Sequence, residues 1–192
     1  GAVMDALGLN DESDRLVIFI SLNMPEKMIQ AYAREAMWTG AILAIKGMEP
    51  DLTLKEFITS KLKPLTYAKG ASAMIQIDPA LFDAYEIDSV PTIVYSQGKL
   101  GEICKKQTRE SFVYKEQDLN INRCVPEDED SYIKVKGAVT LDWALESFIE
   151  EGYTSAQPRL EALRRAGIKS KKTQEEFDGD WSQVEIPSPE EF

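Results

Sequence analysis

The chain has 192 residues, 43% of them hydrophobic and 29% charged, proportions typical of a soluble globular protein. This length suits one domain of ordinary size, with or without arms. It carries 22 Lys and Arg against 33 Asp and Glu, a net charge of −11, which disfavours binding to nucleic acid or to an anionic membrane. Histidine is absent, which excludes Ser-His-Asp and Cys-His catalysis and imidazole ligation of a metal.

The two cysteines, Cys104 and Cys124, do not form a C-x-x-C motif, so the sequence predicts neither a zinc knuckle nor a dithiol redox centre. A disulfide between them would close a loop of about 21 residues and contribute roughly 3 kcal/mol. It would require an oxidising compartment, and two reduced thiols in a cytosolic protein are the open alternative. The longest apolar runs, Leu16–Ile20 and Ala41–Ile45, are far shorter than the roughly 20 residues that cross a bilayer, so no membrane insertion is predicted.

The first half of the chain alternates strands and helices. Leu16–Ile20 predicts a buried strand, and Asn23 is expected to cap the following helix, which should end at Gly40. Further on, the sequence predicts strands over 41–45 and 73–77, a helix opened by a Thr53–Glu56 capping box, and a short helix after Asp78.

The second half begins with a predicted strand at Thr92–Tyr95, a turn at 96–99 and a returning strand at Leu100–Lys105. Residues 106–131 are polar, and we expect them to be irregular. A short edge strand at Tyr132–Val135 and a helix capped by Thr140 follow.

This order predicts an α/β fold: a central mixed sheet of β-α-β-α-β followed by a β-hairpin and a helix, with helices flanking the sheet. It is close to the order of a thioredoxin-like fold. We predict an N-terminal arm at 1–14, a thioredoxin-like domain at 15–152, and a C-terminal helix with an acidic tail at 153–192.

A thioredoxin-like sheet carries its reactive thiols where a central strand meets the following helix, because the helix N-terminus lowers a thiol pKa. Here that segment is Ser21, Leu22, Asn23 and Met24, which contains no thiol, so we expect a site reused for binding, or residues that only begin a helix. In such a fold the segment Val90, Pro91 and Thr92 lies opposite the segment Ser21–Met24. This place in the fold, rather than the composition, predicts that the peptide bond before Pro91 is cis. It also predicts that the backbone before Pro91 is exposed and can pair with an extended peptide.

The acidic residues nearest this site are interpreted as helix caps and a solvated helix face, with a cation site or an acid–base pair as the alternative: Asp78, Asp83, Glu86 and Asp88. Glycine-rich phosphate loops are absent from the sequence. We therefore predict no catalytic residue, no cofactor and no metal.

Several segments resemble one family in series. Val17–Glu26 resembles the "FVSxSMP" opening of the TrbC family of F-type conjugative pilus-assembly proteins. Ile77–Ile87 with Val90–Val94 is similar to its "IDPxLFxxYxIxxVPTxV" block, and Val135–Leu141 with Ala144 and Leu145 is similar to its "GxVSLxxAL" segment. Ile45–Met48 lies where the family tends to have a strand that ends in Arg-Gly. Lys46 replaces that arginine, and Ala138 replaces a usual acidic residue. The resemblance covers roughly residues 16–150.

The resemblance implies a periplasmic protein of a type IV secretion system that acts in pilus assembly with TraW-type partners and other pilus-assembly components. It also implies a thioredoxin-like fold without catalytic cysteines, and it favours a Cys104–Cys124 disulfide because the periplasm is oxidising. Since the sequence begins Gly1-Ala2, we expect a signal peptide to have been removed.

We therefore expect a non-enzymatic assembly factor that binds a partner protein in a groove between Ser21–Met24 and Val90–Thr92. Two alternatives remain open at this point. One is a periplasmic thiol-disulfide oxidoreductase or isomerase that uses Cys104 or Cys124, and the other is a peptide-binding chaperone for pilin.

Overall fold

A computed structural model describes residues 14–47, 53–57, 60, 73–97 and 107–166. Its strands are β1 (Arg15–Phe19), β2 (Ile42–Ile45), β3 (Met74–Ile77), β4 (Thr92–Ser96), β5 (Gln107–Tyr114), β6 (Gln117–Cys124) and β7 (Tyr132–Lys136). Its α-helices are α1 (Glu26–Thr39), α2 (Leu54–Phe57), α3 (Pro79–Ala84), α4 (Leu141–Glu150) and α5 (Gln157–Arg165). Short 3₁₀ turns lie at Glu129–Ser131 and Thr154–Ala156.

The main sheet has five strands in the order β3-β2-β1-β4-β7. β1 lies in the centre, pairs parallel with β2 and antiparallel with β4, and β2 pairs parallel with β3. β7 pairs antiparallel with β4 and completes the other edge. The α/β class and the mixed sheet predicted from the alternation of elements are therefore confirmed.

The centre of the sheet is covered on both faces, which is why β1 is apolar without alternation. On one face, Phe19 packs edge-on against Phe82 of α3 with ring centroids 4.8 Å apart. On the other face, Tyr95 of β4 stacks on Phe148 of α4 at 6.3 Å. Arg15 is also buried, and its guanidinium donates to the Tyr85 hydroxyl at 3.1 Å.

Most of the predicted helix ends are present. Asp78 accepts the Ala80 N–H at 3.1 Å, and Thr140 accepts the Trp143 N–H at 3.4 Å. The capping box between Thr53 and Glu56 is closed by two reciprocal bonds of 3.2 Å. Gly40 ends α1 in the left-handed conformation, with φ of 73°.

The predicted position of the α1 N-cap is wrong by two residues: the N-cap residue is Pro25, which has no side-chain capping bond. The reason is local: residues 21–24 form a turn of their own, so the helix starts only after Pro25, whose carbonyl accepts the N–H groups of Met28 and Ile29.

The expectation that residues 106–131 are irregular is also wrong. Most of this segment is a separate two-stranded sheet of β5 and β6, joined by a turn at Lys115 and Glu116. The predicted returning strand at Leu100–Lys105 lies outside the described residues. Among the described strands, β7 takes the antiparallel place beside β4.

Helix α5 follows the predicted boundary at residue 152, and it packs on α1 and α4. Leu160 and Leu163 are buried in the same core as β1, and Arg159 donates to the Thr39 carbonyl at 2.5 Å. This helix therefore shares the core of the preceding residues.

Candidate functional site

The segment at the carboxyl end of β1 is a tight turn. The Met24 N–H donates to the Ser21 carbonyl, and the Asn23 N–H donates to Ser21 Oγ, both at 3.1 Å. Ser21 is only 1% exposed and Met24 only 3%. The Ser21 hydroxyl is therefore a buried acceptor for a backbone N–H of the same turn.

The segment before β4 lies at the same end of the sheet, because Thr92 pairs with Phe19 at the end of β1. The Val90–Pro91 peptide bond is cis. Thr92 Oγ1 donates to the Ser89 carbonyl at 2.7 Å, which closes the turn before the strand. Val90 and Thr92 are both 0% exposed.

Burial separates the seven residues predicted to form the groove into two groups. Leu22 is half-buried and Asn23 is exposed, whereas the other five are buried: Ser21, Met24, Val90, Pro91 and Thr92. A partner approaching this corner would contact the side chains of Leu22 and Asn23. The buried residues hold the two segments in place.

A third segment, which the sequence analysis did not assign to the site, lies beside Pro91. The Gly137 N–H donates to the Pro91 carbonyl at 2.9 Å, and the Tyr32 hydroxyl donates to the Val139 carbonyl at 2.6 Å. These bonds place the loop after β7 next to the cis-proline segment and α1. The glycine-containing segment was visible in the sequence, but nothing in its spacing indicated which loop it would meet.

This loop leads directly into α4, where Trp143 is 49% exposed. Ala138 and Val139 are partly buried against the core. We use the name corner surface for five residues from these segments: Leu22, Asn23, Ala138, Val139 and Trp143. It combines apolar area with exposed backbone turns, which is a composition suited to protein recognition.

A cleft of about 410 Å³ lies on the other side of the molecule, between α3 and the β5–β6 hairpin, with Lys46, Glu86 and Glu110 in its lining. Asp83 and Arg123 form a two-point ion pair across it, with Arg123 Nε 2.9 Å from Asp83 Oδ2. This pair fastens the base of the hairpin to α3.

Cys124 also lines the cleft, is 7% exposed and is disulfide-bonded. Its predicted partner, Cys104, lies outside the described residues.

Three of the acidic residues near α3 have structural partners. Asp78 caps α3, Asp83 pairs with Arg123, and Asp88 pairs with Lys136 at 2.7 Å. Within the described ranges, no group of three or more Cys, Asp or Glu side chains is arranged to hold a metal ion. The described helices also include none that is long and apolar enough to cross a bilayer.

Comparison with protein families identifies the class of this molecule as a component of a conjugative transfer system. Residues 18–148 match the family described as type-F conjugative transfer system pilin assembly protein, TrbC of the F type. The match covers more than half of the chain, including most of the main sheet and the corner surface, and the chain belongs to this family. No curated protein and no solved structure matches this chain.

Proposed function

We propose that this chain is a non-enzymatic assembly factor of an F-type conjugative system, that it acts in the periplasm, and that it binds a TraW-type protein through the corner surface. The observation that carries the proposal is that the Ser21 side chain is buried and hydrogen-bonded. Its hydroxyl accepts the Asn23 N–H and its side chain is 1% exposed. An unassisted, buried hydroxyl is a poor nucleophile, so this corner serves recognition by shape.

Two features support the periplasm as the compartment. Cys124 is disulfide-bonded, and structural disulfides persist in oxidising compartments. The family acts in conjugative pilin assembly, which takes place at the cell envelope. We also propose that Cys124 pairs with Cys104 and that the fold is thioredoxin-like. The fold assignment is supported by the central strand β1, which leads directly into α1 beside a cis-proline.

The apolar residues of the corner surface support protein binding. Trp143 is half exposed, whereas four other apolar residues of α4 are buried: Leu141, Ala144, Leu145 and Phe148. Tryptophan is enriched among the residues that contribute most to protein interfaces. Leu22 lies half-buried on the turn after β1, so its side chain is fixed before a partner arrives. A pre-organised apolar surface loses little conformational entropy on binding.

Pull-down and calorimetry with a purified TraW-type protein test this assignment. We expect Leu22→Asp and Trp143→Asp each to weaken binding at least about tenfold, since each places a charge in an apolar contact. Met74→Asp is the matched control, because Met74 is 53% exposed on the edge strand β3. Val90 is unsuitable, since it is fully buried. Unchanged binding in both corner variants, with folding verified by circular dichroism, would remove the corner surface from the interface.

The non-enzymatic part of the proposal has its own test. Insulin reduction is measured for the native chain and for a chain with both cysteines replaced by alanine. We expect equal, background rates. Turnover by the native chain that the double variant lacks would show a thiol-disulfide enzyme instead.

A further inference from the structure

The β5–β6 hairpin stands apart from the main sheet. Its two strands of eight residues pair with each other and with no other strand in the described part of the chain. Its extensive contacts with the body are those between β6 and α3, where the Asp83–Arg123 ion pair lies. Toward the turn the hairpin is exposed, with Val113 69% and Leu119 37% accessible. An isolated two-stranded ribbon is only marginally stable in water.

The turn fixes which backbone groups of β6 point outward. Lys115 and Glu116 both have positive φ, of 50° and 65°, as in a two-residue type I′ turn. The flanking pair Tyr114–Gln117 is then a hydrogen-bonded pair, and the bonding pattern alternates along the strand. Asp118, Asn120 and Asn122 consequently direct their N–H and C=O groups away from β5, toward the outer edge.

Over residues 119–122, the outer edge of β6 lacks the features that normally prevent strands from associating, whereas at Cys124 the outward N–H bonds to Asp83 of α3. Edge strands are commonly protected by lysine, proline or bulges. Strand β7, at the edge of the main sheet, carries Lys134 and Lys136. By contrast, β6 reads Leu-Asn-Ile-Asn over residues 119–122, with no charge and no proline. An unprotected edge of this kind is a template for another strand.

We propose that this edge is an interface between two copies of the chain, in which β6 pairs antiparallel with β6 of the second copy about a two-fold axis at Asn120. The outward groups of Asn120 would bond to those of the second Asn120. In this register Leu119 lies opposite Ile121 of the other copy, and Gln117 lies opposite Arg123. Apolar residues thus meet apolar residues, and no like charges face each other.

The charge of the hairpin agrees with self-association. Residues 107–124 contain three basic and three acidic residues, so the hairpin is neutral on a chain of net charge −11. Two copies would repel each other over most of their surface and least at this element. An axis at Asp118 would instead set two aspartates opposite each other. A two-fold contact of identical strands closes after two chains, so the assembly is a dimer.

Ser111 and Asn120 provide a matched pair of variants. They are direct neighbours across the hairpin and share a side-chain hydrogen bond of 2.6 Å, and each directs its N–H outward, Ser111 from β5 and Asn120 from β6. Asn120→Pro removes the donor at the proposed axis without removing a bond of the β5–β6 ladder. Ser111→Pro makes the same change on the other edge.

Sedimentation equilibrium of the full chain between about 1 and 200 µM measures the outcome. We expect the native chain and Ser111→Pro to reach the mass of two chains, and Asn120→Pro to remain at the mass of one. A native chain that stays monomeric throughout, or an Asn120→Pro chain that still dimerises, would overturn the proposal.

Cross-linking decides the case in which both proline variants are monomeric. Paired residues on a hydrogen-bonded antiparallel site have Cα atoms about 5.5 Å apart, within the range of a disulfide. Asn120→Cys should therefore form an interchain disulfide on mild oxidation, whereas Ser111→Cys should not. Equal cross-linking by both variants, or by neither, would overturn the assigned edge.

Discussion

The backbone N–H of Leu141 donates a 2.7 Å hydrogen bond to Glu35 Oε2, and Glu35 is completely buried. Leu141 is the first residue of α4, so a carboxyl group of α1 satisfies one of the N–H groups that a helix leaves unpaired at its start. Glu35 Oε1 has no hydrogen-bond partner in the described part of the chain. The bond joins α1 to α4, the two helices that follow the loop segments of the corner surface, at a point with no access to water.

This arrangement predicts a stability that depends on pH. Burial raises the pKa of Glu35 from 4.5 to about 8, and Asp142 adds to the rise, against the lowering effects of the Leu141 N–H and Arg34. The folded chain therefore retains a proton that the unfolded chain releases. The free energy of unfolding falls as pH rises from about 4.5 to about 8, by on the order of 2–4 kcal/mol. Urea unfolding at pH 5, 6.5 and 8 measures this decrease in the free energy of unfolding.

The variant Glu35→Gln isolates this contribution, because an amide cannot ionise and still accepts the Leu141 N–H. The difference between the native chain and Glu35→Gln should shrink or reverse from pH 5 to pH 8. Glu146→Gln is the control, since Glu146 is half exposed and pairs with Arg164. Parallel pH profiles for the native chain and Glu35→Gln would contradict the raised pKa.

A buried ion pair joins the two ends of the described chain. Arg159 of α5 is 5% exposed, donates to the Thr39 carbonyl, and lies 2.9 Å from Asp14 Oδ1. Arg159→Met keeps much of the side-chain volume but leaves Asp14 and Thr39 without this donor. Removing one partner of a buried pair costs about 3–5 kcal/mol, and we expect a loss in that range by urea unfolding.

Arg165→Met is the control on the same helix, because Arg165 is exposed. It should change the free energy of unfolding by less than about 0.5 kcal/mol. Equal effects of the two variants would mean that α5 contributes through its helical propensity rather than through Arg159.

The sequence predicted the elements whose signals are local. A continuous apolar run indicated β1, and the caps at Asp78 and Thr140 each depend on residues two or three positions apart. The hairpin was missed because its overall polarity outweighed the alternation of Phe112 and Tyr114 in β5 and of Leu119 and Ile121 in β6. A ribbon exposed to water on much of its surface lacks the apolar composition by which strands are usually recognised.

The site was predicted only in part, for a different reason. The turn after β1 and the segment at Pro91 could be placed by fold order, but exposure depends on which loops cover them. The bond between Gly137 and Pro91 joins residues far apart in sequence, and no local pattern encodes it. Nor does the sequence reveal that Val90 is buried whereas Trp143 is exposed, since both follow from packing between distant elements.

The attachment of the hairpin leads to a prediction about local opening. Asp83 accepts two bonds from the Arg123 guanidinium and one of 3.3 Å from the Cys124 N–H. Asp83→Ala removes all three, and we expect amide hydrogen exchange in residues 107–124 to accelerate at least about tenfold, as local opening becomes about 1–3 kcal/mol easier. Asp88→Ala, which removes the exposed pair with Lys136, should leave the hairpin unchanged. Acceleration spread evenly over the chain in Asp83→Ala would instead indicate global destabilisation.

Gly137 sets the position of the loop that joins the corner surface to the cis-proline segment. Its φ is +106°, a conformation that other residues rarely adopt, although no atom lies within 4 Å of an added Cβ. The loss in Gly137→Ala therefore comes from backbone strain alone, and we expect it to be about 1–2 kcal/mol. An added Cβ at Gly47 would likewise meet no atom within 4 Å, but the φ of Gly47 is not in the left-handed range. Gly47→Ala should leave the stability unchanged or raise it by up to about 1 kcal/mol. Thermal unfolding of the two variants measures the contrast, and equal midpoints would show that the loop relaxes without strain and that Gly137 is not needed to hold it against Pro91.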